Sequence, residues 1–286
     1  MSPKEMEQLR AFQVNEITEH HIYKGLARLQ KNDHNRQVLN QLAEEEWGHY
    51  EILTKYTGQR PGPNRWKVFR YIWIARLFGL TFGIKLMEKG ETLAQEIYKT
   101  WDLPDFQKMT QEEEAHEYRL ISLIDEEGLN YMSAVVLGLN DALVEFTGAL
   151  AGYTFALQHP KLVALTGGIT GIAAALSMAA SEYLSTRAEK DGKNALKASV
   201  YTGIAYILTV VALILPFILM QNVYWALGVC LCCALVIIAV FNYYYSIVRS
   251  ESFRNRFTEM AVISLGIAAV SFGIGYALRY FTGIQL

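Results

Sequence analysis

Residues 133–157, SAVVLGLNDALVEFTGALAGYTFAL, form an apolar stretch that decides the fold class of this chain. A helix needs about 20 mostly apolar residues to cross the hydrocarbon layer of a membrane. The sequence contains five such stretches, near residues 131–156, 162–186, 198–220, 222–247 and 258–281. Because they follow one another with short connections, buried core helices of a soluble domain explain them poorly. We therefore predict five transmembrane helices.

The charged residues divide the chain of 286 residues into two parts. Residues 1–128 hold 17 basic and 21 acidic side chains, whereas residues 129–286 hold nine basic and seven acidic side chains on an apolar background. This contrast predicts a soluble domain at 1–128 and a membrane domain at 129–286. With a net charge of −2 for the whole chain, no nucleic-acid partner is expected.

The orientation in the membrane follows from the basic residues of the short loops, which concentrate on the cytoplasmic side. The loops after the second and fourth stretches carry most of them, namely Arg187, Lys190, Lys193, Lys197, Arg249, Arg254 and Arg256. The other side has only Lys161 and Arg279. This asymmetry predicts a cytoplasmic N-terminal domain and a C-terminus on the outside.

Helical periodicity and chain breakers divide the soluble part into four helices. We predict helices near residues 4–30, 36–56, 66–100 and 104–127 and no strand, which indicates a helical bundle. Residues 66–87 are more apolar than a cytosolic helix requires, yet they contain four basic side chains. This segment suits either a helix lying along the membrane surface or a dimer contact.

The pattern Glu-x-x-His occurs twice in the soluble part, at Glu46 with His49 and at Glu113 with His116. On a helix both members lie on the same face and can hold one metal ion. A di-iron carboxylate bundle needs two such helices and two more with one glutamate each. The alternative is that the glutamates of both motifs belong to solvent-exposed helix faces and bind no metal.

The remaining glutamate ligands are chosen by their distance from the connecting turns, because the ligands of one site must lie at the same level of the bundle. Glu16 and Glu46 lie equally far from the first turn, and Glu91 and Glu113 lie equally far from the turn near residue 102. The predicted metal ligands are therefore Glu16, Glu46, His49, Glu91, Glu113 and His116, with Glu19 and Glu88 as alternatives or additions. A further group is assigned to the solvated surface: Glu44, Glu45, Glu114, Glu117, His20 and His21.

Two segments of this part resemble rubrerythrins: NEITEHHIYKGLA (15–27) and GETLAQEIY (90–98). The resemblance implies a ferritin-like, rubrerythrin-type di-iron domain that oxidises ferrous iron. Mn²⁺ or Zn²⁺ would also suit the ligand types. The paired CxxC motifs of the rubredoxin module are absent from the sequence, which argues against a self-contained peroxidase.

The predicted spans contain acidic residues, which are costly in a membrane and usually mark a pathway. Asp141 and Glu145 lie four residues apart in the first span, and Met178 and Glu182 have the same spacing in the second. Three carboxyl groups and a thioether indicate a route for a divalent metal, although a protonated structural role is the simpler alternative.

These segments also resemble the vacuolar iron transporter family, in GLNDALVE (138–145), LSMAASEYLS (176–185) and TGIAYILTVVALILPFIL (202–219). By this resemblance Asp141, Glu145, Met178 and Glu182 are the candidate translocation residues. Ala142 replaces a glycine of the family signature, and the glutamate-rich region that some members insert between spans two and three is missing. The combination of domains resembles bacterial membrane-bound ferritins.

The expected function is therefore export of Fe²⁺, or of Mn²⁺, from the cytoplasm of a bacterial or archaeal cell through its inner or cell membrane. The cytoplasmic di-iron bundle would capture, sense or oxidise the metal, and a homodimer would form the pathway at its interface. The alternative is a membrane-anchored di-iron enzyme, either a ferroxidase or a peroxide scavenger, whose spans serve only as an anchor.

Overall fold

All regular elements of the described residues are helical in the computed structural model, which confirms the predicted all-α fold class. The described residues are 3–88, 105–109, 111–112, 116, 131–189 and 194–282. The chain divides into two compact units, Met1–Glu126 and Glu127–Leu286. The first unit contains most of the charged residues, and the second contains the five apolar stretches.

The N-terminal unit begins with two long helices, α1 (Pro3–Leu29) and α2 (Asp33–Thr57). Asn32 caps α2, since its side chain accepts hydrogen bonds from the first free backbone N–H groups of that helix. The two helices pack side by side through buried apolar side chains, among them Ile22, Leu39 and Leu42. This packing brings Glu16 of α1 close to Glu46 and His49 of α2.

The prediction of one continuous third helix is wrong, because the structure divides this segment into α3 (Arg65–Phe78) and α4 (Leu80–Glu88). The break is at Gly79, whose φ of 97° is accessible to glycine but strained for other residues. Residues 105–109, 111–112 and 116 are helical, in agreement with the predicted fourth helix. The remainder of these two predicted helices lies outside the described residues.

The described residues of the C-terminal unit contain five helices that are long and apolar enough to cross a membrane, which confirms the predicted spans. The first span is composite, with α5 (Met132–Asp141), a π-helical turn (Ala142–Phe146) and α6 (Thr147–Leu157). The other four are single helices: α7 (Pro160–Glu189), α8 (Ala195–Leu219), α9 (Val223–Arg249) and α10 (Phe253–Thr282). Hydrophobic periodicity does not indicate the π-helical turn.

Hydrogen bonds from buried hydroxyl groups connect the spans. Thr202 of α8 donates to the carbonyl oxygen of Ala134 in α5 at 3.0 Å. Ser264 of α10 donates to the carbonyl oxygen of Leu143, within the π-helical turn. A π-helical turn shifts the helical hydrogen-bond pattern by one residue and often marks a functional site. Ser264 therefore supports the backbone just after Asp141.

Gly138→Ala is expected to destabilise the membrane unit by about 1–3 kcal/mol, because an added methyl group would overpack two spans. A Cβ atom at Gly138 would lie 2.6 Å from the backbone oxygen of Thr202. Thermal unfolding in detergent measures the change. Gly168→Ala is the matched control, since a Cβ atom there meets nothing within 4 Å. Equal melting temperatures for the two variants would contradict the close approach of α5 and α8.

Candidate metal centre and transport pathway

Among the described residues of the N-terminal unit, one buried group has the composition of a metal site. Glu16 of α1 and Glu46 and His49 of α2 each offer one ligand atom, and these atoms lie within 4.8 Å of one another. All three side chains are almost completely buried. The spacing of three residues between Glu46 and His49 places both on the face of α2 that packs on α1.

Glu46 lies between the two histidines of the repeated motif. One of its carboxylate oxygens is 3.5 Å from Nδ1 of His49, and the other is 3.4 Å from Nδ1 of His116. The two imidazole rings are stacked with their centroids 5.7 Å apart. The second carboxylate, Glu16, is also 3.5 Å from Nδ1 of His49. Both imidazoles thus present Nδ1 to the buried carboxylates.

The electrostatics of this group favour a bound cation. Burial is the main reason why the pKa of Glu16 is raised to about 7. The hydrogen bond from His49 lowers this pKa, whereas the negative charge of Glu46 raises it further. A divalent cation would stabilise both ionised carboxylates. Carboxylate oxygens and imidazole nitrogens are donors that suit Fe²⁺, Mn²⁺ and Zn²⁺. The residues present therefore fit the metal centre that the sequence predicts.

Two outer glutamates contact the opposite ring nitrogens of these histidines. Nε2 of His116 is 2.6 Å from Glu45, and Nε2 of His49 is 3.1 Å from Glu112. Burial raises the pKa of Glu112, but the hydrogen bond and charge of His49 and the nearby Lys108 outweigh it, so that this pKa is lowered. A carboxylate on Nε2 fixes the tautomer that leaves Nδ1 available as a metal ligand.

Glu45 was assigned to the solvated surface but contacts His116, and Glu112 was not among the predicted site residues. Each precedes the glutamate of a Glu-x-x-His motif by one position, and each contacts the histidine of the other motif. The available signal was the longer repeat Glu-Glu-x-x-His. His20, also assigned to the surface, is buried, with Nδ1 2.6 Å from the carbonyl oxygen of Ala43.

Glu45→Gln is expected to lower the metal affinity of the bundle by roughly 10-fold, since the outer carboxylate orients His116 and increases its basicity. Titration of the purified protein with Mn²⁺, followed by calorimetry, measures the affinity. Glu51→Gln is the control, because Glu51 is a half-buried residue of the same helix whose carboxylate pairs with Arg60. Unchanged affinity in Glu45→Gln would remove this glutamate from the site.

The other predicted ligands have different positions. Glu19 is buried, and its carboxylate lies 3.6 Å from the ammonium group of Lys67 rather than in the three-residue group of Glu16. Glu88 ends α4, but its side chain lies outside the described structure. Glu91 and Glu113 also lie outside the described residues. The structure thus brings together four of the six preferred ligands.

In the membrane unit, Asp141 ends α5 directly before the π-helical turn, and Glu145 lies within that turn. The two carboxyl groups lie close enough for their charges to repel each other. The fully buried Tyr206 of α8 lies close to both carboxyl groups. Two acids and a phenol therefore lie near one another within the candidate spans, with Tyr206 buried, Asp141 half-buried and Glu145 exposed.

Met178 and Glu182 lie on α7. Met178 packs against the apolar core of the membrane unit, and the carboxylate of Glu182 accepts a hydrogen bond from Thr186 at 3.2 Å. Among the interactions of the described residues, none joins this pair to Asp141 or Glu145. The four predicted pathway residues thus form two separate pairs on two spans.

The helical architecture and the five spans define an integral membrane protein. Residues 132–195 match the VIT family, and the match contains Asp141, Glu145, Met178 and Glu182. This match supports a membrane domain of the vacuolar iron transporter type and indicates a membrane transporter of metal ions. A search of curated proteins finds no match. The rubrerythrin resemblance of residues 1–128 remains a prediction.

Proposed function

We propose that the chain exports Fe²⁺ from the cytoplasm across the membrane, with Mn²⁺ as a second substrate. The observation that carries this proposal is the presence of Asp141 and Glu145 together inside a span that matches the VIT family. Ionised carboxylates at membrane depth are costly unless they have a partner. A passing divalent cation would neutralise both of them.

The two pairs of residues offer different kinds of ligand atom to a metal ion. Asp141 and Glu145 supply hard oxygen donors, and Met178 with Glu182 supplies a soft thioether and a further carboxylate. Mixed donors of this kind suit Fe²⁺ better than Mg²⁺ or Ca²⁺, which take oxygen ligands almost exclusively. We also propose a homodimer, because five spans leave little room for a hydrated path within one protomer.

The N-terminal unit would collect the metal on the cytoplasmic side. The basic loops after spans two and four support this orientation. Glu16, Glu46 and the two histidines would hold the metal, while Glu45 and Glu112 keep the imidazoles oriented. A bound di-iron centre would supply oxidation of Fe²⁺. The protein's own part is to keep the ligands buried and to release protons from acids such as Glu16 as metal enters.

A second candidate function is a membrane-anchored ferroxidase. The buried group of Glu16, Glu46 and His49 favours it, since such ligands serve oxidation as well as capture. In this case the metal would be oxidised on the cytoplasmic side without crossing the membrane. The acids within the spans would then have no role in the activity.

Transport into sealed vesicles separates the two functions. Proteoliposomes with the N-terminal unit outside receive radiolabelled Fe²⁺ under reducing, anaerobic conditions, and the label inside is counted. We expect accumulation well above protein-free vesicles, with competition by Mn²⁺ but not by Mg²⁺. Oxidation of Fe²⁺ in air without any accumulation of label inside would support the ferroxidase and refute transport.

A further inference from the structure

Helix α3 exposes an aromatic face to solvent. Trp66, Phe69, Trp73 and Leu77 are spaced by three or four residues and therefore share one side of the helix. They are 69%, 53%, 46% and 69% exposed. The rings of Trp66, Phe69 and Trp73 follow one another at centroid distances of 5.9 Å. A continuous apolar surface of this kind marks an interaction site on a folded protein.

The opposite face of α3 is already used for packing within the N-terminal unit. Tyr71 and Ala75 are buried in the core that α1 and α2 form, with Ile72 packed against it. Ile72 approaches α1 at Gly25, where a Cβ atom would collide with its side chain. The helix is thus fixed on the bundle by one side, and this leaves the aromatic face outward.

Three arginines border the aromatic face. Arg65, Arg70 and Arg76 are exposed, and none forms an ion pair with a described residue. Arg70 lies over the ring of Tyr71 and Arg76 over the ring of Trp73, with 5.1 Å and 5.9 Å to the centroids. Arg65–Phe78 contains no acidic residue. The surface is therefore apolar in the middle and positive on both sides.

We propose that this face of α3 lies on the anionic surface of the bilayer that contains the chain's own spans. Tryptophan and arginine are typical of the interface between hydrocarbon and lipid headgroups, and an amphipathic helix with a basic border binds there. The bilayer is always present, because the same chain carries five membrane-spanning helices. The arginines complement the phosphates of acidic lipids.

A second copy of the chain is a poorer occupant for the same face. A symmetric contact through α3 would bring the arginines of two copies together, and the helix offers no carboxylate to compensate them. Like charges brought together in an interface oppose association. The docking is independent of the transport proposal, since it concerns only where the N-terminal unit touches lipid.

Quenching of tryptophan fluorescence by brominated lipid tests the contact. The full-length protein is placed in nanodiscs of phosphatidylcholine and phosphatidylglycerol, with and without bromine on the acyl chains. The spectrum of the double variant Trp66→Phe/Trp73→Phe is subtracted from that of the wild type, so that the other tryptophans cancel. We expect brominated lipid to remove most of this difference signal. Trp47→Phe, on α2, is the control. When this substitution is present in both proteins of the subtraction, the quenching of the difference signal should stay unchanged.

The charge requirement is tested by the triple variant Arg65→Gln/Arg70→Gln/Arg76→Gln in the same nanodiscs. We expect its quenching to fall several-fold, and the wild type to show a similar fall in phosphatidylcholine alone. Arg60→Gln is the control, because Arg60 pairs with Glu51 away from this face. Retained metal binding in each variant shows that the bundle is folded.

The following results would overturn the proposal. A difference signal that brominated lipid does not quench excludes contact with acyl chains. If its emission is also blue-shifted, protein covers the face, as a second copy would. Quenching that is equal with and without phosphatidylglycerol, or unaffected in the triple arginine variant, excludes an anionic surface as the partner.

Discussion

Asp141→Asn is expected to reduce metal transport in proteoliposomes by on the order of 100-fold. The attraction between a carboxylate and a divalent cation at contact amounts to several kcal/mol even at an effective dielectric constant of about 20. A loss of roughly 3 kcal/mol in the transport barrier corresponds to about a 100-fold lower rate. Asparagine preserves the size of the side chain, so the π-helical turn that follows it should remain intact.

The initial rate of radiolabelled Fe²⁺ uptake measures this effect. Glu189→Gln is the matched control, because Glu189 is an exposed acid at the end of α7, outside the region of the candidate pathway. Its rate should equal that of the wild type. Wild-type uptake by Asp141→Asn, in vesicles with the same protein content, would show that the metal does not pass this residue.

The fold class and the spans could be predicted because they depend on composition and periodicity alone. Five apolar stretches of sufficient length leave few alternatives in a membrane, where every backbone polar group needs an internal partner. The break at Gly79 was not predicted, since an isolated glycine is compatible with a continuous helix. The π-helical turn was missed because it depends on contacts between spans, such as that of Ser264 with Leu143.

The candidate metal centre could be predicted in part. The spacing of Glu46 and His49, and the equal distances of Glu16 and Glu46 from the first turn, are properties of the sequence. The contacts of Glu45 with His116 and of Glu112 with His49 join different helices. Their geometry depends on how these helices are rotated against each other, which periodicity does not specify to within one residue. Tyr206 was missed for the same reason.

Glu46→Gln is expected to lower the affinity of the bundle for metal by on the order of 100-fold, since loss of an outer partner of a ligand already costs about 10- to 100-fold. Its two carboxylate oxygens face Nδ1 of His49 and Nδ1 of His116, so the substitution affects both halves of the site at once. Calorimetric titration with Mn²⁺ measures the loss. Glu44→Gln is the control, since Glu44 is exposed and pairs with Lys24 at 3.0 Å.

Loss of affinity through misfolding would have a different signature. Glu46 is a source of the negative charge that raises the pKa of Glu16, so its neutralisation relieves repulsion in the metal-free protein. The melting temperature of metal-free Glu46→Gln should therefore equal or exceed that of the wild type.

In the transport assay, we expect Glu46→Gln to approach the wild-type rate at saturating Fe²⁺, because only metal capture is impaired. The Fe²⁺ concentration that gives half of the maximal rate should be higher than for the wild type. An unchanged concentration dependence, despite lost metal binding, would mean that the bundle does not supply the pathway.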